Sequence, residues 1–310
     1  MTDIVKSPVK SAPETALKSP VKRSAEQAEI KKKKKVAYKK EVFKAPGPLE
    51  NLHNANGLLA SIIQGRENGA GRELFNLIID AADRLKLEYD ELKFPFKIVD
   101  VGIRCMLFVD LGEWDAQMII DEIFNNVSGS NQQYVKFCTR VVPCKVIPAN
   151  LELIIENAGR LLDLEIKENE NMTFAVEFKS RYCEKFRQRH KNLIKIADSL
   201  LIKYNGGKEM TRKEYKLSYE AKNTTNPKPE KKGKAKGIND QDEEPKLEKD
   251  ENEVITVPVL DGKLKVNLNN PEIMINVEVF KTVASVSALK NYRKYRKYNL
   301  NLVANEGFLE

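Results

Sequence analysis

Histidine and tryptophan are almost missing from this chain, with two His and one Trp in 310 residues. The four cysteines (Cys105, Cys138, Cys144, Cys183) form no CxxC pair. With only His53 and His190 to add, a zinc site is not expected. The cysteines lie in or beside apolar strand and helix patterns, so buried, reduced thiols are expected. No apolar run reaches the length of a membrane span, and the N-terminus lacks the apolar region of a signal peptide, which predicts a soluble intracellular protein with no membrane partner. There is no Gly-x-Gly-x-x-Gly dinucleotide loop and no Walker sequence. No Cys or Ser is placed beside a His by sequence logic. His190 sits in the basic run Arg187–Lys191 and reads as a surface helix residue or a phosphate contact. The residues call for no catalytic group, no metal and no cofactor.

Charge is abundant, at 32% of residues, and unevenly placed. Met1–Lys44 holds 13 Lys and Arg against 5 Asp and Glu, which accounts for the whole net charge of +8. A nucleic-acid site on the remainder must therefore be a local patch. Residues 1–48 read as a disordered basic tail. The tail repeats Lys6-Ser7-Pro8-Val9-Lys10 as Lys18-Ser19-Pro20-Val21-Lys22, and Ser7 and Ser19 resemble sites for proline-directed kinases. Phosphate there would cancel local positive charge. The run Lys31-Lys32-Lys33-Lys34-Lys35 fits a nuclear import signal, a weak nucleic-acid anchor or a solubilising tail.

Order is expected from Leu49. Gly57–Ile63 is an apolar run of strand length, and Arg72–Leu87 has apolar residues at helical spacing. Lys97–Leu111 reads as one or two strands, Trp114–Phe124 as a helix and Tyr134–Ile147 as a strand. This order resembles a small α+β sandwich of the ferredoxin type over 49–147. A second unit over 148–303 starts with Asn150 as the cap of a helix over Leu151–Leu162. A strand at Met172–Lys179 and a helix at Arg187–Tyr204 follow. Gly206–Asn252 has almost no large apolar residues and reads as a disordered insertion. Strands resume at Val254–Leu260, Lys263–Leu268, Glu272–Phe280 and Val283–Ala288.

Three stretches carry binding chemistry. Lys290-Asn291-Tyr292-Arg293-Lys294-Tyr295-Arg296-Lys297-Tyr298-Asn299 interleaves basic residues with three tyrosines and contains no acid. Cations neutralise phosphates and Tyr rings stack on unpaired bases, which suits irregular RNA. A solvated basic turn is the alternative. Lys179-Ser180-Arg181, then Lys185, Arg187, Arg189 and Lys191, runs from a strand end into a helix start, where free N–H groups suit a phosphate or a 3′ end. A solvated helix face is the other reading. Arg66-Glu67-Asn68-Gly69-Ala70-Gly71, with Arg72, resembles the Arg/Gln-x-x-Gly-x-Gly loop by which GNAT acetyltransferases hold acetyl-CoA. It also fits a backbone-phosphate loop or a plain turn.

Several segments, taken in order, resemble the eukaryotic THUMP-domain proteins that assist tRNA cytidine acetylation. Phe174–Arg181 looks like the THUMP strand ending in a basic pair. Ile273–Ser287, with Val277-Glu278-Val279-Phe280-Lys281, looks like the closing strand pair. Lys294-Tyr295-Arg296-Lys297-Tyr298-Asn299 resembles the family's C-terminal signature. Arg140, Pro143 and Ala149-Asn150 fit the junction before the THUMP domain. The resemblance covers about Leu49–Val303.

The resemblance implies an α+β protein, with a ferredoxin-like domain beside a THUMP domain that insertion 206–252 interrupts. It implies an adaptor that is not itself an enzyme; the Lys31–Lys35 run points to the nucleus or nucleolus, and nothing in the residues demands more than a monomer. Such an adaptor binds tRNA, with the THUMP unit at the acceptor end. It presents serine and leucine tRNAs to a separate RNA cytidine acetyltransferase, which forms N4-acetylcytidine in the D arm using acetyl-CoA and ATP. On this reading Lys281, Lys290, Arg293, Lys294, Arg296 and Lys297 contact phosphates and Tyr295 stacks or holds a sugar. Lys179, Arg181, Arg187 and Arg189 form a facing wall. The alternatives are a GNAT-like acetyltransferase using Arg66–Gly71 and a nuclear RNA-associated scaffold.

Overall fold

The run Gly57–Ile62 is apolar at nearly every position, which suits a strand covered on both faces. Asn56–Ile62 forms β2 within a nine-stranded mixed sheet. The computed structural model describes residues 43–44, 49–90, 93–128, 135–166, 171–214 and 253–309. The other strands are β1 (Phe43–Lys44), β3 (Lys97–Asp100), β4 (Met106–Asp110), β5 (Cys138–Pro148), β6 (Met172–Arg181), β7 (Gly207–Thr211), β8 (Val254–Pro258), β9 (Leu264–Val266), β10 (Ile273–Phe280) and β11 (Val283–Lys290). The large sheet runs β1-β3-β4-β2-β5-β11-β10-β6-β9, while β7 and β8 form a separate ribbon. The helices are α1 (Glu67–Leu85), α2 (Ala116–Val127), α3 (Leu151–Asp163), α4 (Arg189–Asn205) and α5 (Leu300–Glu306).

The chain is an α+β protein. The order β2-α1-β3-β4-α2-β5, with antiparallel neighbours β3-β4-β2-β5, is the split βαβ arrangement of the ferredoxin type. Gly57 is required where β2 passes β4, because a Cβ there would stand 1.8 Å from the Val109 carbonyl oxygen. Beyond β5, strands β11, β10 and β6 continue the sheet, with β10 parallel to β6.

Local chemistry starts α3 where expected and starts α2 two residues after the expected Trp114. Asn150 accepts hydrogen bonds from the N–H groups of Glu152 (2.8 Å) and Leu153 (3.2 Å) at the start of α3. Asp115 accepts from Met118 N–H (2.8 Å) at the start of α2. Each such cap is worth about 1 kcal/mol. Strand alternation divides β6 and β10 into two faces. One face carries Phe174, Val176, Phe178, Ile275, Val277 and Val279 and packs on Ile154, Ala158 and Leu162 of α3 and on Ile196, Leu200 and Leu201 of α4. The other face carries Glu177, Lys179, Asn276 and Glu278, and the chain after β11 covers part of it.

Several boundaries differ from expectation, among them the start of α1 at Glu67 instead of Arg72 and of β5 at Cys138 instead of Tyr134. Gly207–Thr211 is a strand paired with β8, so the stretch that reads as disordered from Gly206 begins with order, contributed by backbone hydrogen bonding and not by apolar burial. Phe43–Lys44, inside the expected tail, pairs parallel to β3. A short helix, α5, follows Asn299, whose side chain accepts from Leu302 N–H at 3.0 Å. Residues 1–42 and 215–252 lie outside the described residues, and with them Ser7, Ser19, Lys31–Lys35 and most of the insertion.

Candidate nucleic-acid interface

Tyr292, Tyr295 and Tyr298 recur at every third residue, and their rings cluster, with Tyr298 6.4 Å from Tyr292 and 5.3 Å from Tyr295 between centroids. All three are buried. Tyr292 donates its hydroxyl to Glu177 at 2.8 Å, Tyr295 to Asp121 at 3.0 Å, and Tyr298 to the Lys290 carbonyl at 2.8 Å. The Tyr295 ring stacks on Phe124 with centroids 4.7 Å apart, and Tyr298 meets Phe124 edge-on. Burial, with Asp121 beside it, pushes the Tyr295 phenol up. The expected role of Tyr295 as a stacking platform is therefore corrected. Its face is spent on Phe124 and on Phe308, 5.4 Å away, so the tyrosines are the pegs that fix the segment to the body.

Pegging the tyrosines inward turns the cations outward. Lys290, Arg293, Lys294 and Lys297 are exposed along one short ridge. Arg293 makes no ion pair among the described residues. Lys294 lies over the Phe308 ring, 4.9 Å from its centroid. Lys290 pairs with Glu165 at 2.6 Å. Arg296 is spent differently, since it is half-buried, pairs with Glu306 at 3.0 Å and donates to the Gly307 carbonyl at 2.9 Å. A cleft of about 510 Å³ opens beside the ridge, with Lys290, Arg293, Lys294, Asn171 and Asn270 in its wall.

The ridge is clasped from below by Arg140, which the sequence reading placed only at a domain junction. From β5 its Nη1 donates to Glu278 at 2.8 Å and its Nη2 to Glu177 and Asn276, each at 3.3 Å. Its Nε donates to the Lys297 carbonyl at 3.0 Å. That carbonyl belongs to a strained turn. Arg296, Lys297 and Tyr298 are all left-handed, with φ of 49°, 60° and 61°, at a cost of about 1 kcal/mol or more each. Lys179 adds a second cation, 3.0 Å from Glu177 and 3.9 Å from Glu278. Burial raises the Glu177 carboxyl, but Lys179, Arg140 and the Tyr292 hydroxyl outweigh it and hold the group below the usual carboxylate range. The signal for this network was the period-2 polarity of Glu177/Lys179 and Asn276/Glu278 inside otherwise apolar strands.

The expected facing wall does not form. Arg181 pairs in register with Phe280 at the end of β10, whereas Lys290 pairs with Ile273 at its start. Seven residue steps separate them, roughly 23 Å along the strand. Arg181, Arg187 and Arg189 instead gather with Lys281, whose N–H donates to the Arg181 carbonyl at 3.2 Å. Lys281 Nζ reaches the Gly102 carbonyl at 3.2 Å, Arg187 pairs with Glu184 at 3.2 Å and Arg189 donates to the Ser180 carbonyl at 2.9 Å. Lys179 belongs to the Arg140 network.

The glycine-rich stretch is also corrected. Helix α1 begins at Glu67, so Gly69 and Gly71 are helical and no phosphate loop is present. Gly69 serves packing, since a Cβ there would meet the Phe137 ring at 2.9 Å. Arg66 is the exposed residue preceding the helix and Arg72 is exposed within it. Nearby Glu73 accepts from the N–H groups of Lys136, Phe137 and Cys138 at 2.8–3.0 Å and ties the start of β5 to α1.

Charge separates along the chain. Residues 171–214 and 253–309 together hold 19 Lys and Arg against 10 Asp and Glu, while 67–127 hold 6 against 13. A polyanion is drawn to the C-terminal half. Among the described residues no cluster of three His, Cys, Asp or Glu could hold a metal ion, and no helix is long and apolar enough to cross a membrane.

No protein-family model matches the chain, and no curated protein matches it. Among solved structures it is similar to PH1313 from Pyrococcus horikoshii Ot3, with a TM-score of 0.40 and 14% identity over 76% of this chain and 54% of that one. It is also similar to a 4-thiouridine synthetase in complex with RNA and ATP, with a TM-score of 0.39 and 9% identity over 76% and 41%. A third is SMU.472, assigned as a methyltransferase and complexed with SAH, with a TM-score of 0.35 and 14% identity over 76% and 41%. The chain thus spans about half or less of the length of the structures it resembles. The expectation that the chain is not an enzyme is corrected here. A 4-thiouridine synthetase and a protein assigned as a methyltransferase stand among the structures it is similar to, so missing catalytic motifs do not assign it a role without catalysis.

Proposed function

We propose that this chain is a tRNA-binding protein of tRNA modification. In this reading it acts in the nucleus as an adaptor that presents serine and leucine tRNAs to an RNA cytidine acetyltransferase for N4-acetylcytidine formation in the D arm. The observation that carries the RNA-binding part is the ridge Lys290-Arg293-Lys294-Lys297, held rigid on the body by three buried tyrosines and the Arg140 clasp. A loose basic tail loses conformational entropy on binding, whereas a ridge fixed by buried rings has lost it already on folding. The choice of tRNA and of acetyltransferase rests on the resemblance of Phe174–Arg181, Ile273–Ser287 and Lys294–Asn299 to the THUMP-domain adaptors.

The test is tRNA binding across a salt series by the full chain and by Arg293→Ala/Lys294→Ala/Lys297→Ala. Three lost phosphate contacts lower the slope of log K against log salt by about 2, at roughly 0.7 per contact. An unchanged slope and affinity would reject the ridge. Adding the chain to an acetyltransferase with acetyl-CoA, ATP and serine tRNA tests the adaptor role, and acetylation that ignores the chain counts against it.

A further inference from the structure

Among the described Phe, Tyr and Trp residues only Tyr182 is exposed, at 69%. It follows β6 directly, between Arg181 and Cys183. Its backbone is left-handed, with φ of 55°, a conformation that disfavours a bulky side chain. Its ring makes no contact with another ring among the described residues, so no described ring packing holds it in this conformation. The neighbouring strand end repeats the geometry. Lys281, directly after β10, is also left-handed at φ 52°, and its N–H holds the Arg181 carbonyl. Tyr182 and Lys281 thus follow directly on paired strand ends, and Tyr182 lines a cleft of about 510 Å³ together with Ser180, Cys183, Glu184, Arg187 and Arg189. Helix α4 starts at this cleft with no side-chain cap and no acid in its first turn, which leaves its N–H groups to favour an anion.

We infer that Tyr182 is the stacking platform for an unpaired nucleobase, with Arg181, Arg187 and Lys281 neutralising the phosphates on either side. The inference rests on the tRNA-binding reading and deepens it. It moves the stacking role from the buried tyrosines to a residue some seven strand steps from the ridge. A flat ring accepts any base face, while the surrounding cations hold the backbone. A bound RNA therefore touches two places, the ridge electrostatically and Tyr182 by stacking.

The test uses the full chain and a single-stranded RNA decamer carrying 2-aminopurine at its centre, with Tyr182→Phe, Tyr182→Ala and Tyr182→Gly. Tyr182→Phe is expected to bind as the parent does and to quench the fluorophore. Tyr182→Ala is expected to bind about tenfold more weakly, to lose the quenching and to keep the salt slope, because stacking releases no counterions. Tyr182→Gly takes up the left-handed backbone without strain and must match Tyr182→Ala, which separates loss of the ring from a backbone change. Parent-like affinity and quenching in either truncation overturns the inference while leaving RNA binding by the parent intact, as would a Tyr that serves a protein partner. If the parent itself binds neither the decamer nor tRNA at any salt, the tRNA-binding reading falls and the inference falls with it.

Discussion

Replacing Arg140 by Met keeps most of the side chain's volume and removes its charge. The structure sets the size of the effect. Arg140 is 14% exposed and Glu278 4% exposed as side chains, and their atoms meet at 2.8 Å. Breaking a buried pair by removing one partner costs about 3–5 kcal/mol, because the remaining charge is left in a poor dielectric. Two features move the value to the lower end. Lys179 stays 3.9 Å from Glu278, and Glu177 is exposed enough for its share to be that of a surface pair, about 0–1 kcal/mol. Losing the bond to the exposed Lys297 turn adds about 1 kcal/mol. A loss of about 3 kcal/mol follows, which for a chain of this size lowers Tm by roughly 6–10 °C. Urea unfolding at pH 7 measures it. The orphaned carboxylate identifies the cause, so Arg140→Met/Glu278→Leu is expected to recover a large part of the loss. A loss under 0.5 kcal/mol in the single variant, or strict additivity in the double one, would refute the reasoning.

Glu177 titrates below the usual carboxylate range in the folded chain. Its contribution to stability is therefore complete above its unfolded value of about 4.5 and fades as pH falls through the lower folded value. The stability gap between the parent and Glu177→Gln should narrow between pH 5 and 3, and a gap that stays constant would contradict the assignment. Cys138 and Cys144 are buried, and burial pushes both thiols up, whereas Cys105 and Cys183 are half-buried. A thiol reagent at pH 8 should label the latter pair in native protein and the former only on unfolding, and fast labelling of all four would argue against the packing of β5. Gly57→Ala drives a Cβ into the Val109 carbonyl. It should cost several kcal/mol as β2 and β4 part, and a parent-like melting curve would show that the strands can shift.

Period and capping were legible in the sequence because they are local. Helix α3 could be placed to within a residue from Asn150 and the spacing of Ile154, Ala158 and Leu162. The strands β6 and β10 stood out by their apolar alternation. The failures share a different cause, which is that a residue type does not say which way its side chain will face. Gly69 and Gly71 look like a loop, yet both lie within α1, where the missing Cβ of Gly69 leaves room for Phe137, 68 residues on. Tyr292, Tyr295 and Tyr298 look like base platforms, yet they are buried because Phe124, Asp121 and Glu177 await them from other elements.

The three-residue spacing was visible in the sequence and carries the resolution. Aromatics at i, i+3 and i+6 gather on one side of this turn, which leaves Arg293, Lys294 and Lys297 exposed and Arg296 half-buried against Glu306. Had the tyrosines been solvent-facing, the cations between them would have been driven toward the apolar Phe124 and Leu300. Burying the rings and exposing the cations is the arrangement of lower free energy. The sequence thus already contained a basic ridge with an aromatic underside, and the tyrosine left facing solvent is Tyr182.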